Sequence, residues 1–324
     1  MSTTIIRNGR VIDPANKRDE IADVVLINGR ISDQSAIRSP KSEIEEIDAK
    51  GLIVAPGLID MHVHLREPGF SHKETIESGA RAAAAGGFTT IVCMPNTSPV
   101  PDNPGTIAWI KDRASAIASV NVLATGAISK NLAGEELAPI GSLAKAGVVA
   151  ITDDGHCIQN HEVMRRAVEY ARMVDLPVLD HCQDYNLVGN GVVHEGYWST
   201  LLGLPGWPAA GEEAIVMRNI LLAELCDHPI HCQHLSAAGS VRLVREARAR
   251  GVKISGEVCP HHIALTDEAI QNFETNYKVN PPLRSQTDVD ALLEGIADGT
   301  LSILCSDHAP HAHFEKEVEF DIAP

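Results

Sequence analysis

Four short segments of the chain end in clustered side chains of the kind that hold metals: Asp60-Met61-His62-Val63-His64, Asp180-His181, His231-Cys232-Gln233-His234 and Ser306-Asp307-His308. Each follows a β-branched apolar run. Side chains along a strand alternate faces, so His62 and His64 can reach one cation together while Val63 packs on the opposite side. Two imidazoles from one strand end are half of a zinc site. Ligands from several strand ends meet at one point only where a parallel barrel or sheet gathers its C-terminal edges, so the chemistry is expected at that edge.

The elements that must do the gathering are legible from about Leu52 onward, where strand, loop and helix recur. Strands are expected at Ile59–His64, Thr89–Met94, Val120–Ala127, Val148–Thr152, Pro177–His181, Ile230–His234, Val252–Val258 and Leu301–Ser306. Ser71-x-x-Glu74 has the form of a capping box for an Ala-rich helix ending at Gly86-Gly87, and Ser236 is placed to cap a helix carrying Val241, Val244 and Ala247. Eight strands alternating with helices define an α/β chain with a (β/α)8 TIM-type barrel, the alternative being a doubly wound open sheet. The barrel is preferred because ligands on strands one, five, six and eight converge only if the sheet closes.

Ahead of the barrel, Asn8-Gly9 and Asn28-Gly29 punctuate short apolar runs and are read as hairpin turns. Residues 1–53 are therefore assigned to a small antiparallel, β-sandwich-like domain and 54–324 to the barrel. Only Pro310 to Pro324 follow the eighth strand, too few for the helix that completes such a barrel, so the C-terminal end is expected to be missing. Its absence would bare apolar surface, leaving the chain marginally stable or reliant on a partner.

A formal charge of −16, from 27 Lys+Arg against 43 Asp+Glu, argues against nucleic-acid or anionic-membrane partners. No signal-peptide pattern opens the chain and no apolar run is long enough to span a bilayer, which reads as cytoplasmic. The seven cysteines are odd in number and lack paired C-x-x-C spacing, so they are read as reduced core residues.

The string from Pro56 to Gly69 carries more than a lone His-x-His could. With Met94-Pro95-Asn96-Thr97, Thr152-Asp153-Asp154-Gly155, Asp180-His181-Cys182, Gln233-His234-Leu235-Ser236, Glu257-Val258-Cys259-Pro260-His261-His262, Lys278 to Arg284 and Ser306 to His311, it resembles the amidohydrolase superfamily, and within it the long-chain bacterial dihydroorotases, over essentially the whole chain. The resemblance implies a zinc cofactor, one or two ions per chain. His62, His64 and Asp307 would hold one ion, and Asp154 would bridge to a second held by His181 and His234. Asp153 competes with Asp154 for the bridging place. Zinc lowers the pKa of bound water toward about 7, which makes hydroxide the expected nucleophile, with Asp307 passing a proton to the poor amide leaving group.

By the same resemblance Arg66, Asn96, Asn280 and His311 would contact substrate. Arg66 lies two residues beyond His64 and would share its face if the strand continued, offering a bidentate grip on a carboxylate. Its bland alternative is a surface ion pair with Glu67 or Glu74. His261, His262 and His308 are read as supporting or structural. The implied activity is reversible hydrolysis of the cyclic amide of (S)-dihydroorotate to N-carbamoyl-L-aspartate in pyrimidine biosynthesis. Hydantoinases and allantoinases are the enzyme alternative, but such relatives usually bridge their metals with a carboxylated lysine, which the Thr152–Gly155 segment lacks. A non-catalytic scaffold for aspartate transcarbamoylase is the other alternative. The implied protein partners are a second copy of the chain or that transcarbamoylase.

Overall fold

The computed structural model of the protein describes residues 2–33 and 44–324, and the chain divides into two compact units meeting at Leu58/Ile59. In the first unit, β1 (Thr3–Asp13) pairs antiparallel with β2 (Arg18–Ile27), and β2 with β3 (Arg30–Ser32). On its other edge β1 carries β4 (Ile44–Asp48) and β5 (Ile53–Val54), both parallel to it, so the described strands make one mixed sheet.

Asn28-Gly29 forms the expected two-residue turn, with φ of 50° and 75°. Asn8-Gly9 does not: β1 runs through it with a register shift between Ile6 and Gly9. Asn8 takes φ 61°, and a Cβ on Gly9 would lie 2.5 Å from Val54 Cγ2. The pair therefore serves a bulge and a close approach of β5, and the chain reverses instead at Pro14–Lys17, where Lys17 N donates to Pro14 O.

The second unit alternates strand and helix. Its strands are β6 (Leu58–Val63), β7 (Phe88–Cys93), β8 (Asn121–Ala124), β9 (Val178–Asp180), the short pair β10 (Val193–His194) and β11 (Gly206–Trp207), then β12 (Ile230–Cys232), β13 (Ile254–Val258) and β14 (Ile303–Leu304). Parallel pairing gives two arcs, β6-β7-β8 and β9-β12-β13-β14. Single bridges join them at both ends: Gly126–Ile151–Val178 on one side and Val63–His308 on the other. The expected fourth strand, Val148–Thr152, is thus reduced to the bridges at Ile151. Closure on the first strand is reinforced by His64 N donating to His308 O at 2.8 Å and by Ser306 N donating to the buried Asp60 carboxylate. A ring of eight strand positions excludes the open doubly wound sheet.

The helices α1 (Ile76–Ala85), α2 (Pro104–Ile117), α3 (Ile140–Ala146), α4 (His161–Met173), α5 (Tyr185–Val188), α6 (Tyr197–Leu202), α7 (Ala210–Cys226), α8 (Ala238–Ala249), α9 (Pro260–Ala264), α10 (Gln286–Ala297) and α11 (His313–Lys316) supply the crossovers. Strand alternation sorts the core. Ile91 and Cys93 join the large cluster between sheet and helices, whereas Val92 and Met94 join a small one with Ala150 and Leu179.

Two caps differ from expectation. α1 is capped by Thr75 and Ser78 reciprocally rather than by Ser71 and Glu74; Glu74 Oε1 accepts from Thr75 N and the Ser78 hydroxyl beside that cap, and its Oε2 meets His308 Nε2 at 2.9 Å. Ser236 does not cap α8. Its hydroxyl donates to Glu212 at 2.5 Å, and Asp288 of α10 accepts from Ala238 N instead.

One interior ion pair carries a stability prediction. Arg218 on α7 donates to Asp180 at 2.6 Å and Asn219 does so at 2.7 Å, all three being buried. Arg218→Met is expected to lower unfolding free energy by about 3–5 kcal/mol, since it leaves the Asp180 charge buried with one neutral donor. Denaturant unfolding checks this, and a loss under about 1 kcal/mol would show that the pair is dispensable.

Candidate metal centre and active site

Strand ends deliver the ligands. β6 sends Val63 into the large core cluster and places His62 and His64 on the other side, as the two-residue period requires. β9 turns Asp180 toward α7 and His181 inward. His234 reaches the same place only through a left-handed backbone, φ 34°, and Asp307 likewise at φ 49°. Such conformations cost of order 1–3 kcal/mol and gather where function requires them.

Donor atoms of His62, His64 and Asp307 lie within 4.8 Å of one another, and so do those of His62, Asp154 and His234. Asp154 Oδ2 is 3.2 Å from His62 Nε2 and 3.3 Å from His64 Nε2. Asp307 Oδ1 is 3.4 Å and 2.9 Å from the same two nitrogens. A tetrahedral zinc with ligands at about 2.0–2.1 Å separates its donors by roughly 3.3 Å. The other oxygen of Asp154, Oδ1, faces a second set, 3.5 Å from His234 Nε2 and 4.0 Å from His181 Nδ1. His62 Nε2 and Asp154 Oδ1 are buried without a hydrogen-bond partner. Two orphaned polar atoms at the centre of a ligand cluster fit a cation.

Asp153 is not part of this cluster. Its carboxylate accepts from Ile128 N at 2.7 Å, Ser129 N at 3.0 Å and the Ser129 hydroxyl, on the far side of the turn. Burial pushes its pKa up to about 6.

The electrostatics also call for positive charge. Burial opposes ionisation of Asp154 and Asp307, yet His62 and its neighbours hold both below the usual carboxylate range. Burial likewise opposes a charge on His62, and Asp154, Asp307 and Glu257 still raise it well above an ordinary histidine. Burial and then His234 push His181 down to about 4, leaving it neutral as a ligand should be.

The cluster floors a cleft of about 590 Å³. Arg66, Asn96, Asn280 and His311 all line it. Arg66 does so for a different reason than the extended strand predicts: β6 ends at Val63 and Arg66 has φ 62°. Its Nε donates to Pro310 O at 3.2 Å, while Glu67 and Glu74 hold other partners. Asn96 has a second task, its Oδ1 accepting from His64 Nδ1 at 2.9 Å. Asn280 donates to Gln183 Oε1, which also accepts from His181 Nε2. Burial, with Arg66 and Lys73 nearby, pushes His311 down to about 4.

Of the three supporting histidines, His261 lines the cleft, His262 Nε2 donates to Pro281 O, and His308 braces Glu74. Residue type and spacing alone assign no role to Glu257, which opens the Glu257–His262 string. Its carboxylate lies 2.5 Å from His62 Nδ1. The available signal was an ionisable residue in a strand position that alternation assigns to the barrel interior. The seven cysteines are all free and buried, as expected. Cys182 turns toward α7, its Sγ 3.6 Å from Asn219 Nδ2.

Comparison with known proteins agrees with this architecture. The L-hydantoinase (dihydropyrimidinase) of Arthrobacter aurescens superposes with a TM-score of 0.82 at 22% identity, over 97% of this chain and 71% of that one. The dihydropyrimidinase of Brevibacillus agri gives 0.81 at 24%, over 99% and 73%. These likenesses establish the fold alone. In sequence, a family described as dihydro-orotase-like matches residues 51–240. A dihydroorotase of Pelotomaculum thermopropionicum is 52% identical over 99% of this chain and 74% of its own length, and one of Syntrophotalea carbinolica is 50% identical over 98% and 75%. The chain belongs to the dihydroorotase family. Among the described residues no helix is long and apolar enough to cross a membrane.

Proposed function

We propose that this chain catalyses the reversible, zinc-dependent hydrolysis of the cyclic amide of (S)-dihydroorotate to N-carbamoyl-L-aspartate, as its relatives' name suggests, in the pyrimidine pathway of the cytoplasm. The observation that carries the reading is a pair of donor triads sharing His62, one with His64 and Asp307 and one with Asp154 and His234, whose donors lie within 4.8 Å of one another and whose His–carboxylate pairs at 2.9–3.5 Å suit zinc. His181 and His234, facing the other oxygen of Asp154, support a second. Bound there, zinc supplies Lewis acidity and a water acidified toward about pKa 7.

The protein's own groups do the rest. Asp307, held ionised at neutral pH, takes the proton of the attacking water and returns it to the ring nitrogen, which leaves poorly unless protonated. Arg66 grips the substrate carboxylate, with Asn96, Asn280 and neutral His311 completing the cleft wall. An aspartate in the bridging position supports dihydroorotate over hydantoin as substrate. The metal ligands are all present, which counts against an inactive scaffold.

Purified protein is expected to contain zinc by elemental analysis and to interconvert dihydroorotate and carbamoyl-aspartate. Metal-free protein, or loaded protein that turns over hydantoin as fast as dihydroorotate, would overturn the reading. The protein partners to test are a second copy of the chain and aspartate transcarbamoylase, by size exclusion. No nucleic-acid or membrane partner is expected of so acidic a chain.

A further inference from the structure

We propose that Glu257 is a positioning residue for the metal, fixing His62 in the one tautomer that can ligate; the inference rests on the metal reading above. Glu257 lies on β13, is 1% exposed and is enclosed by donors. Its Oε1 is 2.5 Å from His62 Nδ1 and accepts from His234 N at 3.2 Å, while its Oε2 is 3.1 Å from His231 Nε2. His231 Nδ1 in turn lies 2.8 Å from the Ser255 hydroxyl.

For neutral rings, the form in which a histidine can ligate, these contacts admit one self-consistent assignment of hydrogens. A carboxylate only accepts, so the hydrogens of His62 and His231 sit on Nδ1 and Nε2 respectively, and Ser255 donates to His231 Nδ1. The His62 Nε2 lone pair is then free, and that is the buried atom without a partner among Asp154 and Asp307.

A competing arrangement sits beside this one. Gln233 Nε2 is 3.3 Å from the same His62 Nδ1, and Gln233 Oε1 is occupied by the Thr152 hydroxyl, so the amide presents a donor to the ring. Were Gln233 to win, the hydrogen of His62 would move to Nε2 and block the metal. The shorter, charge-assisted contact to Glu257 decides against it, and Gln233 donates to Met94 Sδ at 3.4 Å instead. Glu257 therefore does two separable things. Its shape and position select the tautomer, and its charge raises the basicity of the ligand nitrogen.

Two variants separate them. In Glu257→Gln the amide oxygen still accepts from His62 Nδ1, while its NH2 faces His231 Nε2, which can accept once His231 moves its hydrogen to Nδ1 and donates to Ser255. Only the charge is lost. In Glu257→Leu the acceptor is lost as well and Gln233 is left as the nearest partner. Zinc affinity, read by competition with a chromophoric chelator, is expected to fall roughly 10- to 100-fold in the glutamine variant and further in the leucine variant. Nitrogen-15 NMR of metal-free protein, at a pH alkaline enough for the His62 ring to be neutral, should show the ring hydrogen on Nδ1 in the glutamine variant and on Nε2 in the leucine variant.

Thermal melts of the metal-free proteins provide the contrast, since a purely structural Glu257 would lower the melting temperature and leave zinc affinity alone. The glutamine variant is isosteric, so its reading decides if the leucine variant does not fold. Unchanged zinc affinity in Glu257→Gln overturns the proposal. His62→Ala serves as reference: if it too binds zinc normally, the metal reading itself has failed.

Discussion

His62→Ala is expected to lose zinc and turnover together. Zinc held by protein ligands is bound with about 10–16 kcal/mol, so one ligand of four accounts for roughly 3–4 kcal/mol, or about 10²- to 10³-fold in affinity. The true loss should lie at the upper end. His62 Nε2 faces both Asp154 and Asp307, within 3.4 Å, and its removal leaves their charges closer to uncompensated, the Asp154 carboxylate being buried and that of Asp307 only slightly exposed. Elemental analysis and steady-state rates on the same preparation decide it, and full occupancy with normal turnover would refute the assignment. Asp307→Asn is the informative companion. It keeps the shape and one ligating oxygen but cannot accept the proton, so turnover should vanish while part of the zinc remains. A variant that retains both zinc and rate would move the proton-transfer role elsewhere in the cleft.

The parts of this site that were legible in the sequence are those set by strand period and residue chemistry. His62 and His64 flanking Val63 follow from alternation alone, and the same rule sends Cys182 to the helices and His181 inward. Choosing Asp154 over Asp153 was not possible from the pair itself, because either acid can follow a turn. What separates them is tertiary, the Ile128 and Ser129 amides that capture Asp153.

Arg66 lines the site although strand alternation does not put it there, since β6 stops at Val63 and Arg66 itself takes a left-handed conformation. His234 is similar, reaching the cluster through φ 34° where simple alternation along β12 would turn it outward. Local periodicity cannot see such turns, because the strain in them is offset by contacts made elsewhere in the fold. The helix caps failed for a related reason. Ser71, Glu74 and Ser236 have the right types for capping, but α1 begins a turn later with Thr75 as its cap, and Ser236 is drawn to a distant partner, Glu212, that sequence spacing does not reveal.

Dihydroorotate should be preferred over dihydrouracil or hydantoin by about 10⁴- to 10⁵-fold in kcat/KM, the discrimination reached when a polar site is offered an analogue lacking its partner group. The argument rests on Arg66. It is 8% exposed, and among the described residues it forms no ion pair, its Nε donating only to the Pro310 carbonyl. A guanidinium in that state gains strongly from a carboxylate and is penalised by a ligand that covers it without one. Arg66→Lys isolates the gain. Lysine meets the same left-handed backbone that arginine already occupies at φ 62°, so the substitution adds no conformational penalty and changes only the head group. Losing one charge-assisted contact of about 1.5–3 kcal/mol should lower kcat/KM for dihydroorotate roughly 10- to 100-fold, mostly through KM, with zinc content unchanged. The variant should lose little on dihydrouracil, because there is no carboxylate to miss. Equal losses on both substrates would mean that Arg66 supports the cleft without touching the substrate carboxylate, and comparable wild-type rates on hydantoin would remove the basis for the proposed substrate.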